Sequence, residues 1–223
     1  QNNLIHGSFK NKVNKVIFLG SSCIYPKFSK QPIRESYLLS GKLEETNTSY
    51  ATAKIAGVKM CEAYNNQYKT NYICLMPSNV YGPNDNYDSL NSHFFPALIK
   101  KAHECKIKNK KYLEVWGTGK SFRELIYVDD VADACIFFMN KKTKETLINI
   151  GSGKDMRIKD YAKFIINKLN LDVKLKFNLS KPDGVFRKLL DISIAKKYGW
   201  KAKTSLSKGF DFTYEAFLKN KIK

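Results

Sequence analysis

The sequence predicts an α/β protein built on a doubly wound parallel sheet, with a smaller mixed α/β part interleaved toward the C-terminus. Three observations predict it. Short apolar, β-branched runs recur along the chain and end in small residues or Pro. Helix-length segments separate these runs, the alternation of a parallel sheet. Hydrophobic residues make up 43% and aromatics 13%, enough for a core and too many for a disordered chain.

The elements follow in order. Residues 2–9 read as the end of a crossover helix, and Lys15-Val-Ile-Phe-Leu19 is a buried strand that stops at Gly20-Ser21-Ser22. Residues 24–46 form a loop with Pro26, Pro32 and Gly41. Thr48 or Ser49 is the predicted cap of a long helix to about residue 68. Asn71-Tyr-Ile-Cys-Leu-Met76 is the second buried strand, ended by Pro77 and a turn at Tyr81-Gly82-Pro83. A helix over 92–106, strands at 112–116 and 124–128, a helix over 131–139 and a strand at 147–150 follow. After Gly151-Ser-Gly153, residues 158–169 are amphipathic, and beyond a mixed tail a last helix covers 205–219. The strand–Gly-rich-turn–helix unit that usually opens such a sheet is absent, with no Gly-x-x-Gly-x-x-Gly anywhere. The chain therefore reads as the later part of a longer protein whose first strands would precede Gln1.

Charge narrows the function. Net charge is +19, from 39 Lys and Arg against 20 Asp and Glu. Such a balance suits a polyanion. Yet only Arg34, Arg123, Arg157 and Arg187 are arginines, and the lysines are scattered along the whole length. That pattern fits a solvated surface or an anionic small substrate better than a nucleic-acid module, so no nucleic-acid partner is expected. No apolar run approaches the roughly 18 residues of a membrane helix, so no membrane partner is expected either. Cys23, Cys61, Cys74, Cys105 and Cys135 are odd in number and form no Cys-x-x-Cys pair. This argues against a disulfide framework or structural zinc, and for a reducing, cytoplasmic setting. No His has a metal-ligand spacing, and no metal is expected.

Open parallel sheets bind ligands beyond the carboxyl ends of their strands, so Gly20–Cys23, Pro77–Pro83 and Arg123 are where chemistry is expected. Tyr50-Ala-Thr-Ala-Lys54 puts a phenol and an ammonium one helical turn apart on one face. A free phenol has a pKa of about 10 and needs a cation to act near neutral pH. With Ser21 upstream, Tyr50 and Lys54 make the acid–base set of a carbonyl reductase. By themselves these residues also fit an ordinary amphipathic helix after a strand.

Gly20-Ser-Ser-Cys-Ile-Tyr-Pro26, Tyr50-Ala-Thr-Ala-Lys54, Met76-Pro-Ser-Asn-Val-Tyr-Gly-Pro83, Asn91-Ser-His93, Val115-Trp-Gly-Thr-Gly119, Arg123-Glu124 and Tyr127-Val-Asp-Asp130 occur in order. Lys181-Pro-Asp-Gly184 and Arg187-Lys-Leu-Leu-Asp191 continue the series. Together they resemble the extended short-chain dehydrogenase/reductases, and among them the GDP-L-fucose synthase family, over essentially the whole chain. The resemblance implies a Rossmann-like NAD(P)-binding domain from residues 1–85 and 120–150, interleaved with a GDP-sugar domain from 86–119 and 151–223. It implies 3,5-epimerisation and NADPH-dependent 4-reduction of GDP-4-dehydro-6-deoxy-D-mannose, usually in a homodimer. Ala53, Ala56 and Gly57 are small enough for two copies of the long helix to approach.

Residue roles follow from the same resemblance. Cys23 and His93 are the acid–base pair of epimerisation, and a free thiol is about a few per cent thiolate at neutral pH without a cation nearby. Tyr50, Lys54 and Ser21 carry the reduction. Leu19, Gly20, Ser21, Ser22, Tyr50, Lys54, Pro77, Ser78, Asn79, Val80 and His93 face NADP(H). Lys101, Trp116, Arg123, Asp183 and Lys188 face the GDP-sugar, with Arg123 as diphosphate clamp and Asp183 as acceptor for guanine or ribose. The competing readings are a nucleotide-sugar 4-epimerase or 4,6-dehydratase, which recycle their cofactor, and a polyanion-binding module. A dehydratase would need an Asp-Glu pair where Ser22 and Cys23 stand. The chain of residues 1–223 by itself is expected to bind dinucleotide weakly and to be inactive.

Overall fold

The two apolar runs read as buried strands pair side by side in parallel; Asn71–Pro77 is buried, whereas Lys15–Leu19, at the end of the strand order, is only half-buried and Leu19 is exposed. The computed structural model describes residues 1–88 and 91–221. In chain order the elements are α1 (Asn2–Lys10), β1 (Lys15–Leu19), α2 (Thr48–Tyr68), β2 (Asn71–Pro77), β3 (Asn79–Tyr81), α3 (Phe94–Ile107), β4 (Tyr112–Trp116) and β5 (Phe122–Tyr127). There follow α4 (Val128–Met139), β6 (Leu147–Ile150), β7 (Asp155–Arg157), α5 (Ile158–Lys168), β8 (Lys174–Asn178), β9 (Arg187–Lys188), α6 (Ser193–Lys197) and α7 (Leu206–Lys221). These form two units: 1–80, 124–154 and 188–203 in the first, and 81–123, 155–187 and 204–223 in the second. Ser89, Leu90, Ile222 and Lys223, within the spans read as the GDP-sugar domain, lie outside the described residues.

The first unit holds a parallel sheet of order β1-β2-β6, with Phe18 opposite Cys74 and Leu75 opposite Ile148. Side chains of a strand alternate between faces, and β2 buries both. Tyr72, Cys74 and Met76 pack with Ile55, Val58 and Cys61 of α2. Ile73 and Leu75 pack with Val131, Ala134 and Phe138 of α4. Helices therefore cover both faces, which is what makes the sheet doubly wound and explains why β2 reads as a continuous apolar run.

Residues 188–203 belong to this first unit, whereas the sequence reading placed them with the second. The reason is burial: Leu190 and Ile192 join the α2-side cluster, and Ala195 and Trp200 the α4-side cluster. The start of α2 also differs. A 3-10 turn, Glu45–Asn47, leads directly into the helix, so Asn47 precedes it and makes no side-chain cap. Thr48 instead sends its hydroxyl back to the Glu44 carbonyl at 3.1 Å. Gly57 is not on the outer face of α2: a Cβ there would lie 2.5 Å from the Phe18 ring. Ala53 and Ala56 are exposed.

The second unit pairs β4 with β8 in parallel, Leu113 opposite Leu175. β8 reads Lys-Leu-Lys-Phe-Asn, and its charged alternate positions hid it in the mixed tail of the sequence. Phe95, Leu98, Ile99, Leu113, Val115, Ile165 and Phe210 are buried in this unit. α3 begins at Phe94, so His93 stands just before the first helical residue, without a side-chain capping bond.

A buried amide organises the β6 end of the first unit. Asn149 is fully buried; its Oδ1 accepts from the Tyr25 hydroxyl at 2.6 Å, and its Nδ2 donates to the carbonyls of Ile33 (3.0 Å) and Asp191 (3.2 Å). Its N–H donates to Glu35 Oε1 at 2.9 Å. Burial pushes the Glu35 carboxyl above its ordinary value, and the bond from Asn149 pulls it back. Asn149→Ala strands the buried Tyr25 hydroxyl and takes one bond from each of the Ile33 and Asp191 carbonyls, so a loss of about 1–3 kcal/mol in urea unfolding is expected. A loss under about 0.5 kcal/mol, the size of a surface change, would contradict this.

Candidate active site

The chain turns sharply where β1 ends. Gly20 N–H donates to the Leu75 carbonyl at 2.9 Å. A Cβ on Gly20 would lie 2.1 Å from Met76 Cε, so a side chain has no room there. A 3-10 turn, Ser22–Ile24, follows, and the Ser21 hydroxyl accepts from Cys23 N–H at 3.2 Å. Ser22 is buried and Cys23 is half-buried. Lys188 Nζ stands 3.5 Å from Cys23 Sγ. Lys188 was expected among the nucleotide-sugar contacts; within the first unit its ammonium lies against the thiol.

α2 brings Tyr50 and Lys54 to the same strand end. Lys54 Nζ donates to the Leu19 carbonyl at 2.9 Å and lies 5.8 Å from the Tyr50 ring centre. Tyr50 is 48% exposed. After β2, Ser78 N–H donates to the Ile150 carbonyl at 3.1 Å, while Ser78 Oγ is buried without a hydrogen-bond partner. Asn79 Nδ2 donates to the Glu124 carbonyl at 2.8 Å, which fixes the turn on which Pro77 and Val80 lie. The first unit thus gathers the strand-end residues Leu19 to Cys23 with Tyr50, Lys54 and Lys188.

The second unit has a cavity of about 270 Å³ whose lining includes Lys101, Trp116, Arg123 and Asp183. Each is engaged. Arg123 Nη1 donates to the carbonyls of Val185 (2.6 Å) and Phe122 (2.7 Å), and Nη2 to that of Asp183 (3.3 Å). The guanidinium therefore holds the 183–185 loop. Asp183 accepts from the Thr118 N–H and hydroxyl, both at 2.7 Å, and so clasps the turn at Gly117, whose φ is +69°. Lys101 pairs with Glu114 Oε1 at 3.1 Å, and Trp116 Nε1 donates to the same oxygen at 2.9 Å. The bond from Lys101 holds the Glu114 carboxyl below the usual carboxylate range, and that from Trp116 adds to it. The ammoniums of Lys101 and Lys181 lie 4.7 and 5.1 Å from the Trp116 ring centre, within cation–π range.

Glu114, Lys181 and Ser92 escaped sequence reasoning. Ser92 lines the cavity with a buried hydroxyl that has no hydrogen-bond partner; as a lone serine before a helix it carries no readable signal. His93 is exposed within its unit. It lies beside Asp85, whose carboxyl burial raises, with the Asn86 N–H and His93 acting the other way.

Residues 1–151 match the family described as NAD dependent epimerase/dehydratase. The chain belongs to that family. It is 47% identical to GDP-L-fucose synthase 1 of Arabidopsis thaliana, covering 99% of this chain and 68% of that protein. It is 48% identical to GDP-L-fucose synthase of Sinorhizobium fredii, covering 98% of this chain and 69% of that protein. Among solved structures, MlghC, a GDP-mannoheptose C4 reductase from Campylobacter jejuni with NADP bound, aligns with a TM-score of 0.87 at 38% identity. That alignment spans 97% of this chain and 74% of that one. This epimerase/dehydratase chain is thus a homologue of the GDP-L-fucose synthases.

The family's dinucleotide fits the first unit's strand ends. The orphaned Ser78 hydroxyl needs a partner, the half-exposed Tyr50 phenol is accessible, and the Lys54 ammonium is already fixed beside it. These are groups that a ribose and a carboxamide would satisfy.

Thiol accessibility gives a direct check. Cys61, Cys74 and Cys105 are buried, and Cys23 and Cys135 are partly exposed. Limited iodoacetamide labelling, followed by peptide mass spectrometry, is expected to modify Cys23 first, because a cation beside a sulfur promotes its reaction. Lys188→Met should slow labelling of Cys23 and leave Cys135 unchanged; equal slowing of both would contradict the Lys188 contact.

Proposed function

We propose that this protein makes GDP-L-fucose from GDP-4-dehydro-6-deoxy-D-mannose by 3,5-epimerisation followed by NADPH-dependent reduction at C4. One observation carries the reading. The turn after β1 presents Ser21 and Cys23 together, with the Lys188 ammonium against the sulfur and the Tyr50–Lys54 pair at the same strand end. A 4-epimerase needs only the Ser, Tyr and Lys, and leaves the thiol and its ammonium without a task.

The C4 ketone acidifies the hydrogens on C3 and C5, so a base removes each as an enolate forms. Inversion then requires a proton delivered to the opposite face, and hence two groups. Cys23 and His93 fill these roles, and Lys188 is the counter-charge whenever the sulfur is a thiolate. NADPH, when bound, supplies the hydride that reduces C4. Tyr50 gives its proton to O4 as negative charge develops there, while Ser21 donates a hydrogen bond to the same oxygen. Lys54 stays close to the phenol, anchored on the Leu19 carbonyl.

The cofactor is NADP(H), held by the first unit through Leu19, Gly20, Ser21, Ser22, Lys54 and the Pro77-Ser78-Asn79-Val80 turn. The second unit takes the GDP moiety. Trp116 offers an aromatic face, and Lys101 offers positive charge shared with Glu114. Arg123 shapes the loop that presents Asp183. No helix among the described residues is long and apolar enough to cross a membrane. The five free cysteines support a cytoplasmic setting. Pairing with a second copy through exposed Ala53 and Ala56 belongs to the same reading.

In the full-length enzyme, Tyr50→Phe should lower reduction by about 10²–10³, the usual cost of losing a transition-state donor. Solvent-deuterium exchange at C3 and C5 should survive in that variant. Cys23→Ser should slow the exchange; normal exchange there would remove the thiol from the mechanism. Arg123→Lys cannot span the same carbonyls, so GDP affinity measured by calorimetry is expected to fall about tenfold. An unchanged Kd would dissociate the 183–185 loop from nucleotide binding.

A further inference from the structure

Glu124 is a wholly buried carboxylate that the chemistry above does not use. A buried carboxylate persists only where donors satisfy it. Its Oε1 accepts from Gly153 N–H at 2.6 Å and from the Ser152 hydroxyl at 3.5 Å, and its Oε2 accepts from Leu190 N–H at 2.9 Å. Residue 151 is held to glycine by the same group, since a Cβ there would lie 2.3 Å from Oε1. One side chain thus joins the loop after β6 to the segment that leaves β9.

That segment carries Lys188. Only Leu189 separates Leu190, whose N–H Glu124 holds, from the lysine whose Nζ stands 3.5 Å from Cys23 Sγ. The segment's other side is held by the loop at residues 31–33: Leu189 N–H donates to Gln31 Oε1 at 2.9 Å, and Ile33 N–H to the Leu189 carbonyl at 2.7 Å. The lysine is therefore mounted on backbone braced from two directions, and Glu124 is the wholly buried charged group among these braces.

We propose that Glu124 is a positioning residue for proton transfer at C3 and C5, acting by fixing the 188–190 segment and so the Lys188 ammonium against the Cys23 thiol. This rests on the epimerase reading of Cys23. Glu124 itself is sealed from any ligand and touches no reacting atom. An acceptor suits the site, because the Gly153 and Leu190 N–H groups both donate to the carboxylate. Glutamine in its place turns an NH₂ toward at least one donor and pushes that segment away. A shift of about 1 Å at a reacting group can cost about a hundredfold in rate.

The test uses the full-length protein as wild type, Glu124→Gln, Lys188→Met and the double variant. Three readouts are taken: deuterium wash-in at C3 and C5 of GDP-4-dehydro-6-deoxy-D-mannose, KM for that sugar, and the rate of Cys23 carboxymethylation. Glu124→Gln is expected to slow wash-in at least about tenfold while KM stays within about twofold. Carboxymethylation of Cys23 should fall severalfold, and the double variant should lose no more than Lys188→Met alone, because the two residues act as one unit. Multiplying losses, a parallel rise in KM, or unchanged wash-in and labelling would overturn the proposal. Should Glu124→Gln not fold, Gly151→Ala, whose methyl displaces Oε1, is judged by the same criteria. Absent wash-in in the wild type would sink the epimerase reading, and the labelling rates would still decide the Glu124–Lys188–Cys23 linkage.

Discussion

The ammonium of Lys54 resting on the carbonyl of Leu19, at 2.9 Å, is the contact on which the chemistry proposed for the first unit is built. It ties the helix that carries Tyr50 to the strand end that carries Ser21 and Cys23. The contact requires close packing, and two glycines allow it. Gly57 lets α2 settle onto the Phe18 ring, where a Cβ would lie 2.5 Å away. Gly20 lets the chain turn against Met76 as it leaves the strand. A methyl at either position pushes helix or turn outward, and the reach of one lysine side chain does not stretch to follow.

Around this contact the molecule separates rigidity from reactivity. β2 is buried on both faces, and its alternating side chains fix α2 and α4 on opposite sides. Ser21 and Cys23 lie on the short segment that leaves β1, where open parallel sheets bind ligands, and α2 brings Tyr50 and Lys54 to it. Such segments expose backbone and need bracing, which comes from two buried polar side chains. Asn149 braces the loop at Tyr25 and Ile33, and Glu124 braces the loop after β6 and the segment after β9. Each makes enough hydrogen bonds to offset the cost of its burial.

Much of this was legible in the sequence because it is local. β1 and β2 are short apolar runs, Tyr50 and Lys54 share a helical face by spacing alone, and the Ser-Ser-Cys turn follows a strand directly. What escaped is long-range. Lys188 and Cys23 lie 165 residues apart, and no periodicity joins them. Residues 188–203 read as part of the other unit because their apolar positions are too sparse to announce which core they enter. β8 alternates lysines with Leu175 and Phe177, so it reads as polar tail rather than strand. Arg123 reads as a diphosphate clamp, whereas the Phe122 carbonyl and two carbonyls of the 183–185 loop engage its guanidinium. A sequence reports that a guanidinium is present but not that nearby backbone has claimed it.

Two reactions on one chain should leave separable isotopic marks. The decisive measurement is to run wild-type full-length enzyme in D₂O with ordinary NADPH, and in H₂O with NADPH deuterated at its transferable position, and to map the label in the product by NMR. Solvent deuterium at both C3 and C5, with cofactor deuterium only at C4, is the predicted pattern. A product labelled at C4 from the cofactor but lacking solvent deuterium at C3 and C5 would contradict it, and would leave Cys23 and His93 without a catalytic task.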